Sequence, residues 1–81
     1  MENVGGETRL DQVPNGETVE IMGLDSARHV SGRLAALGFV PGATVHIIQN
    51  YSYAPLIVSV AQARVAVGRG EAGNIRARRL A

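Results

Sequence analysis

Asp25 and His29 stand four residues apart in an amphipathic stretch, a spacing that puts both side chains on one helix face. Together with His46 they would offer one oxygen and two nitrogen donors, a set able to hold a divalent transition metal. The competing reading is a capping aspartate beside a solvated histidine. Asp25 immediately precedes the helical pattern, where an N-cap belongs, and His46 has the outward parity next to Val45 and Ile47. The segment Gly68-Arg69-Gly70-Glu71-Ala72-Gly73 has the Gly-x-Gly-x-x-Gly spacing of a dinucleotide loop. No βαβ unit surrounds it, and the acidic ribose partner would fall beyond the chain, so a nucleotide site is excluded there. There is no lysine for a phosphate loop. Ser26, Ser31, Ser52 and Ser59 lie in no nucleophile elbow. No catalytic residue and no cofactor site is therefore expected.

Binding chemistry has more material. Tyr51 and Tyr53 sit at alternate positions of the longest loop, where a small barrel can present a ligand groove. Leu34, Leu37 and Phe39 surround a helix end; left partly open, they would form an apolar rim for a partner. Arg76, Arg78 and Arg79 could contact nucleic acid, yet the aromatics that stack bases are missing from that segment.

The elements that position these residues follow from a sequence of 81 residues, 46% hydrophobic and 19% charged, which suits one small globular domain. It contains no cysteine, so disulfides and thiolate metal sites are excluded. No apolar run approaches a bilayer span, and the N-terminus lacks a signal-peptide pattern, which together point to the cytoplasm. Residues 1–40 hold Arg9, Arg28 and Arg33 against Glu2, Glu7, Asp11, Glu17, Glu20 and Asp25. Residues 41–81 reverse the balance, with Arg64, Arg69, Arg76, Arg78 and Arg79 against Glu71. A barrel that interleaves distant strands would mix these charges on its surface.

Residues 1–8 read as a flexible tail, and 9–81 as one domain. Thr18 to Met22 alternates as a half-buried strand that ends at Gly23-Leu24. Ala27, Val30, Leu34 and Leu37 form the apolar stripe of a helix over 26–37. Gly38 is placed to close it in the left-handed region, with Phe39 folding back on the last turn. Val40-Pro41-Gly42 then fits a type II turn. Strands follow from Ala43 to Gln49, Leu56 to Ala61, Arg64 to Gly68 and Ile75 to Leu80, with a hairpin near Gln62-Ala63 and one helical turn near Gly70. Five short strands with one inserted helix predict a mainly β fold, a small SH3-like barrel that closes its own edges. The loop Tyr51 to Pro55 is long enough to be mobile and to act as a hinge for strand swapping between copies in a weak homo-oligomer.

The chain resembles a known family. Arg33-Leu34-Ala35-Ala36-Leu37-Gly38-Phe39-Val40-Pro41-Gly42 is similar to the helix-to-strand signature of the FeoA family. Pro55 to Val60 resembles that family's second core hairpin, and Arg64 to Ile75 its closing strand and short helical turn. Ala54 stands where glycine is common before Pro55, and Gly70 and Gly73 stand where stronger helix formers are common. The resemblance implies an SH3-like accessory protein of bacterial ferrous iron uptake. It would act by contact with the cytoplasmic GTPase part of the FeoB transporter. Two other readings stay open: a nucleic-acid-binding barrel, and a metal-sensing domain akin to the C-terminal domain of DtxR-type repressors.

Overall fold

The computed structural model describes residues 6–25 and 28–80; of helix residues 28–31 only the backbone is described. In chain order the elements are β1 (Glu7–Arg9), a 3-10 turn (Leu10–Gln12), β2 (Thr18–Leu24), α1 (Arg28–Ala36), β3 (Thr44–Gln49), β4 (Leu56–Val60), β5 (Ala63–Val67), α2 (Arg69–Ala72) and β6 (Ile75–Arg79). The strands form a 6-stranded sheet in the order β1-β6-β2-β3-β4-β5, and every neighbouring pair is antiparallel. The fold is therefore mainly β with two small helices, as the alternation predicted.

The sheet has one strand more than expected. Glu7 and Thr8, assigned by composition to the tail, pair with Arg78 and Ala77 of β6. Nothing apolar alternates there, because β1 is held by backbone bonds and by ion pairs of its charged side chains. β2 also continues past its expected end, through Gly23 to Leu24. A register shift against β6 lies between Ile21 and Gly23. A Cβ on Gly23 would fall 2.3 Å from Arg76 Nη2, so glycine leaves room for that guanidinium to cross the strand.

Buried side chains from the strands, the 3-10 turn and both helices join one cluster. Val19 and Ile21, Val45 and Ile47, Leu56, Val58 and Val60, and Ile75 and Ala77 alternate inward along their strands. Both edges of the sheet feed this cluster, through Val67 at the end of β5 and Leu10 just after β1, so the sheet must curl around it.

The end of α1 follows local rules closely. The Phe39 N–H donates to Leu34 O at 3.0 Å, and the Gly38 N–H to Ala35 O at 3.0 Å. This is the paired bonding of a Schellman ending, with Gly38 at φ +111. A Cβ on Gly38 would meet Val60 Cγ2 at 3.2 Å and Ala61 Cβ at 3.3 Å, so the helix end seats on the β4–β5 turn. Gly42 takes φ +90 in the turn closed by Ala43 N–H to Val40 O at 2.9 Å. That turn docks on β2 through Gly42 N–H to Ile21 O and Ile21 N–H to Ala43 O, both 2.8 Å. Phe39 drops into the core at 0% exposure, the largest side chain there. The stripe residue Leu34 is likewise buried, while Ala27 and the side chain of Val30 lie outside the described residues.

Candidate docking surface

The loop between β3 and β4 is pinned rather than free. Arg69, the first residue of α2, reaches back with Nη1 to Asn50 Oδ1 at 2.9 Å, Tyr51 O at 2.7 Å and Ala54 O at 3.0 Å. Its Nη2 donates to Asp11 O at 3.3 Å. Asn50 completes the knot: its Nδ2 donates to Val13 O at 2.7 Å and Asp11 O at 3.0 Å, and its N–H donates to Asn15 Oδ1. The planar guanidinium carries five donors in a fixed fork, which suits several carbonyls at once. The expected mobile hinge is thus tied to the 3-10 turn and to α2. Nothing in the sequence marked Arg69 for this role, because its acceptors are mostly main-chain carbonyls and leave no side-chain pattern.

Above this knot Tyr51 and Tyr53 stack, with ring centroids 6.2 Å apart and planes 12° from parallel. Tyr53 is 87% exposed and Tyr51 43%. A stacked aromatic pair on an anchored loop loses little conformational freedom when covered, which is what a protein contact favours. Val40 and Leu80 are the other large exposed apolar side chains among the described residues.

The apolar rim expected at the helix end is not open. Leu34 and Phe39 are both 0% exposed, because Gly38 turns the chain so that Phe39 closes over the last helical turn. Leu37 is half-buried against the same cluster. Partner contact through Leu34 and Phe39 is therefore corrected to core packing, leaving Tyr51 and Tyr53 as the surface members of that set.

The metal set does not assemble either. Asp25 accepts from Arg9 Nη1 at 2.7 Å and from Arg76 Nε at 3.0 Å. His46 pairs in register with Thr18, at the far end of β2 from Asp25, and its Nδ1 lies 2.9 Å from Thr18 Oγ1. Six strand residues lie between Thr18 and Asp25, roughly 20 Å of extended chain. The His29 side chain lies outside the described residues. Among the described residues no group of three metal-ligating side chains gathers.

The C-terminal arginines are drawn into the sheet's own charges. Arg76 pairs with Asp25 and Glu7, Arg78 with Glu20 at 2.7 Å, and Arg79 with Glu17 at 2.6 Å. The acidic and basic halves of the sequence meet across β2 and β6, as a barrel that interleaves them requires. An open cleft of ≈ 350 Å³, lined by Glu7, Thr8, Arg9, Gln12 and Arg76, sits beside the Asp25 cluster. Elsewhere Arg33 of α1 pairs with Glu71 of α2, whose Oε1 also accepts the Gly68 N–H and closes the start of α2.

The hydrogen bond from Arg9, with that from Arg76 and both positive charges, outweighs partial loss of water and holds the Asp25 carboxyl below its usual range. A depressed folded value makes this contact stabilising above the unfolded carboxylate value of about 3.9. The contribution disappears as pH falls through the folded value. Asp25→Asn is expected to lower the urea midpoint at pH 7 and to match the unsubstituted protein at pH 2.

A family model described as the FeoA domain matches residues 8–79. A crystal structure of an iron uptake regulatory protein, FeoA, superposes with a TM-score of 0.88 at 27% identity, covering 93% of this chain and 100% of that one. The FeoA of Stenotrophomonas maltophilia, crystallised with zinc and described as a prokaryotic SH3 domain protein, superposes with a TM-score of 0.75 at 25% identity, covering 90% and 99%. A manganese-dependent transcriptional repressor shares the fold, with a TM-score of 0.83 at 17% identity; the match covers 91% of this chain and 42% of that one. No curated protein matches this chain in sequence.

Proposed function

Because this chain belongs to the FeoA family, by a match that spans residues 8–79, we propose that it is a non-catalytic accessory protein of ferrous iron transport. It works in the cytoplasm by docking on the GTPase part of a FeoB-type transporter and biasing that part's conformation. Docking biases a partner only when affinity differs between the partner's states. The observation that carries the docking reading is the exposed Tyr51–Tyr53 stack held on a loop that Arg69 anchors. The nucleic-acid reading is disfavoured because Arg76, Arg78 and Arg79 already face carboxylates. The metal-sensing reading is disfavoured because Asp25 follows the end of β2 while His46 of β3 pairs with Thr18 at its start.

The test is capture of the purified transporter GTPase domain by the full chain, with and without Tyr51→Ala and Tyr53→Ala together. Buried aromatic anchors contribute about 2 kcal/mol or more to an interface. The double variant is expected to weaken capture more than tenfold. Tyr53→Ala alone is expected to change folding stability by less than about 0.5 kcal/mol, as an exposed side chain should. Equal capture by the double variant would move the contact off this loop.

A further inference from the structure

The two edges of the sheet are protected unequally. β1 is three residues long, and both its charged side chains are engaged, Glu7 with Arg76 and Arg9 with Asp25. β5 is five residues long, straight in register with β4 along its whole length, and contains no proline. No described strand lies beyond it. Natural proteins usually shorten, bend or charge such an edge to prevent pairing. Here the single charge is Arg64.

The ladder tells which backbone groups are open. Residues 61 and 62 both have positive φ, 51 and 64, so they form a two-residue hairpin turn. Such a turn closes on a hydrogen-bonded pair, Val60 with Ala63, and bonded and non-bonded pairs alternate from there. Ala63, Val65 and Val67 therefore direct their N–H and C=O groups at β4. Arg64 and Ala66 direct theirs outward, and both residues are exposed.

Arg64 is also distinct among the arginines whose side chains are described. Arg9, Arg33, Arg76, Arg78 and Arg79 pair with carboxylates, and Arg69 binds carbonyls. Arg64 makes no hydrogen bond or ion pair with the described residues. It ends a row of outward polar side chains, Thr18, His46, Ser59 and Arg64, one from each of four adjacent strands. The place across from Arg64 is the next position in that row.

We propose that the outer edge of β5 is a strand-docking site, which takes an extended segment of the partner protein with a carboxylate across from Arg64. Arg64 and Ala66 would supply two N–H donors and two C=O acceptors to the added strand, and Arg64 would select its charge. The site lies next to the tyrosine loop: Val67 at the end of β5 pairs with Leu56, and Arg69 two residues later anchors Tyr51 and Ala54. A second copy fits less well. Pairing β5 with itself about Val65 puts Ala66 opposite Arg64 and leaves the guanidinium without a carboxylate.

This inference rests on the docking reading above, and the experiment separates the two. Amide hydrogen exchange is measured on the full chain, alone and with the purified transporter GTPase domain, while calorimetry gives the affinities of the variants. The expected result is slower exchange at Arg64 and Ala66 on binding, by tenfold or more. Arg64→Glu should weaken binding at least tenfold, and Arg64→Lys less than threefold. Binding by the unsubstituted protein with unprotected amides and no effect of Arg64→Glu would overturn the edge site and leave the docking reading standing. No binding by the unsubstituted protein would overturn both. Protection of the same amides in the protein alone, rising with its concentration, would place a second copy on the edge and overturn the partner strand.

Discussion

Phe39→Ala is expected to destabilise the protein by about 3–5 kcal/mol, as deletion of a fully buried phenylalanine does. A chain of 81 residues has a total stability of about 4–12 kcal/mol, so the loss removes much of it. Phe39 is the one phenylalanine of the sequence and fills the space between the end of α1 and the sheet. Its backbone is fixed by the bond to Leu34 O and by Gly38 in the left-handed region, so the chain cannot slide to refill the cavity. Phe39→Leu keeps most of the apolar volume and is expected to cost less than about 1.5 kcal/mol. Urea unfolding followed by far-UV circular dichroism, with an unchanged slope, measures both. A loss below about 1 kcal/mol for the alanine variant would return Phe39 to the surface rim that the sequence allowed.

Arg69→Met is the next largest effect. Methionine keeps the apolar stem and removes every donor, so Asn50 Oδ1, Tyr51 O, Ala54 O and Asp11 O lose their shared partner. Hydrogen bonds to a charged donor contribute about 1.5–3 kcal/mol each, but these carbonyls lie near water and can rehydrate. A net loss of about 2–3 kcal/mol is expected on that basis. The same variant should free the loop, so backbone order parameters at 51–54 should fall below about 0.6. Arg69→Lys is expected to restore little, since an ammonium is a point donor that cannot span the fork. Full stability in Arg69→Lys would show that charge alone, rather than the planar fork, holds the loop.

Local chemistry was the legible part of this fold. Gly38, Pro41 and Gly42 demand special backbone angles within five residues, so the helix end and the turn could be read without knowing the rest. The alternation in β3, β4 and β6 was equally plain, because one face of each strand is buried. β1 was hidden for the opposite reason: Glu7, Thr8 and Arg9 join the sheet by backbone bonds to β6, nearly seventy residues away, and carry no apolar pattern. Gly23 gave no sign that it makes way for Arg76, another long-range contact. At the candidate site, Tyr51 and Tyr53 were visible as loop aromatics. Their anchor was not, because Arg69 binds mainly main-chain oxygens. The apolar rim failed as a surface since the exposure of Leu34 and Phe39 depends on how the helix end meets β4 and β5. The arginines at 76, 78 and 79 looked like a basic patch until Glu20 of β2, and Glu17 and Asp25 just before and after that strand, became their partners.

Under the proposed docking, this chain binds its partner more tightly in one conformational state than in the other. Titration calorimetry of the full chain into the transporter GTPase domain, loaded with GDP or with a non-hydrolysable GTP analogue, tests it most directly. Couplings of this kind typically change affinity by about 5–150-fold, and a difference of at least fivefold between the two nucleotide states is the expected result. Equal affinities in both states, or no heat of binding in either, would contradict it.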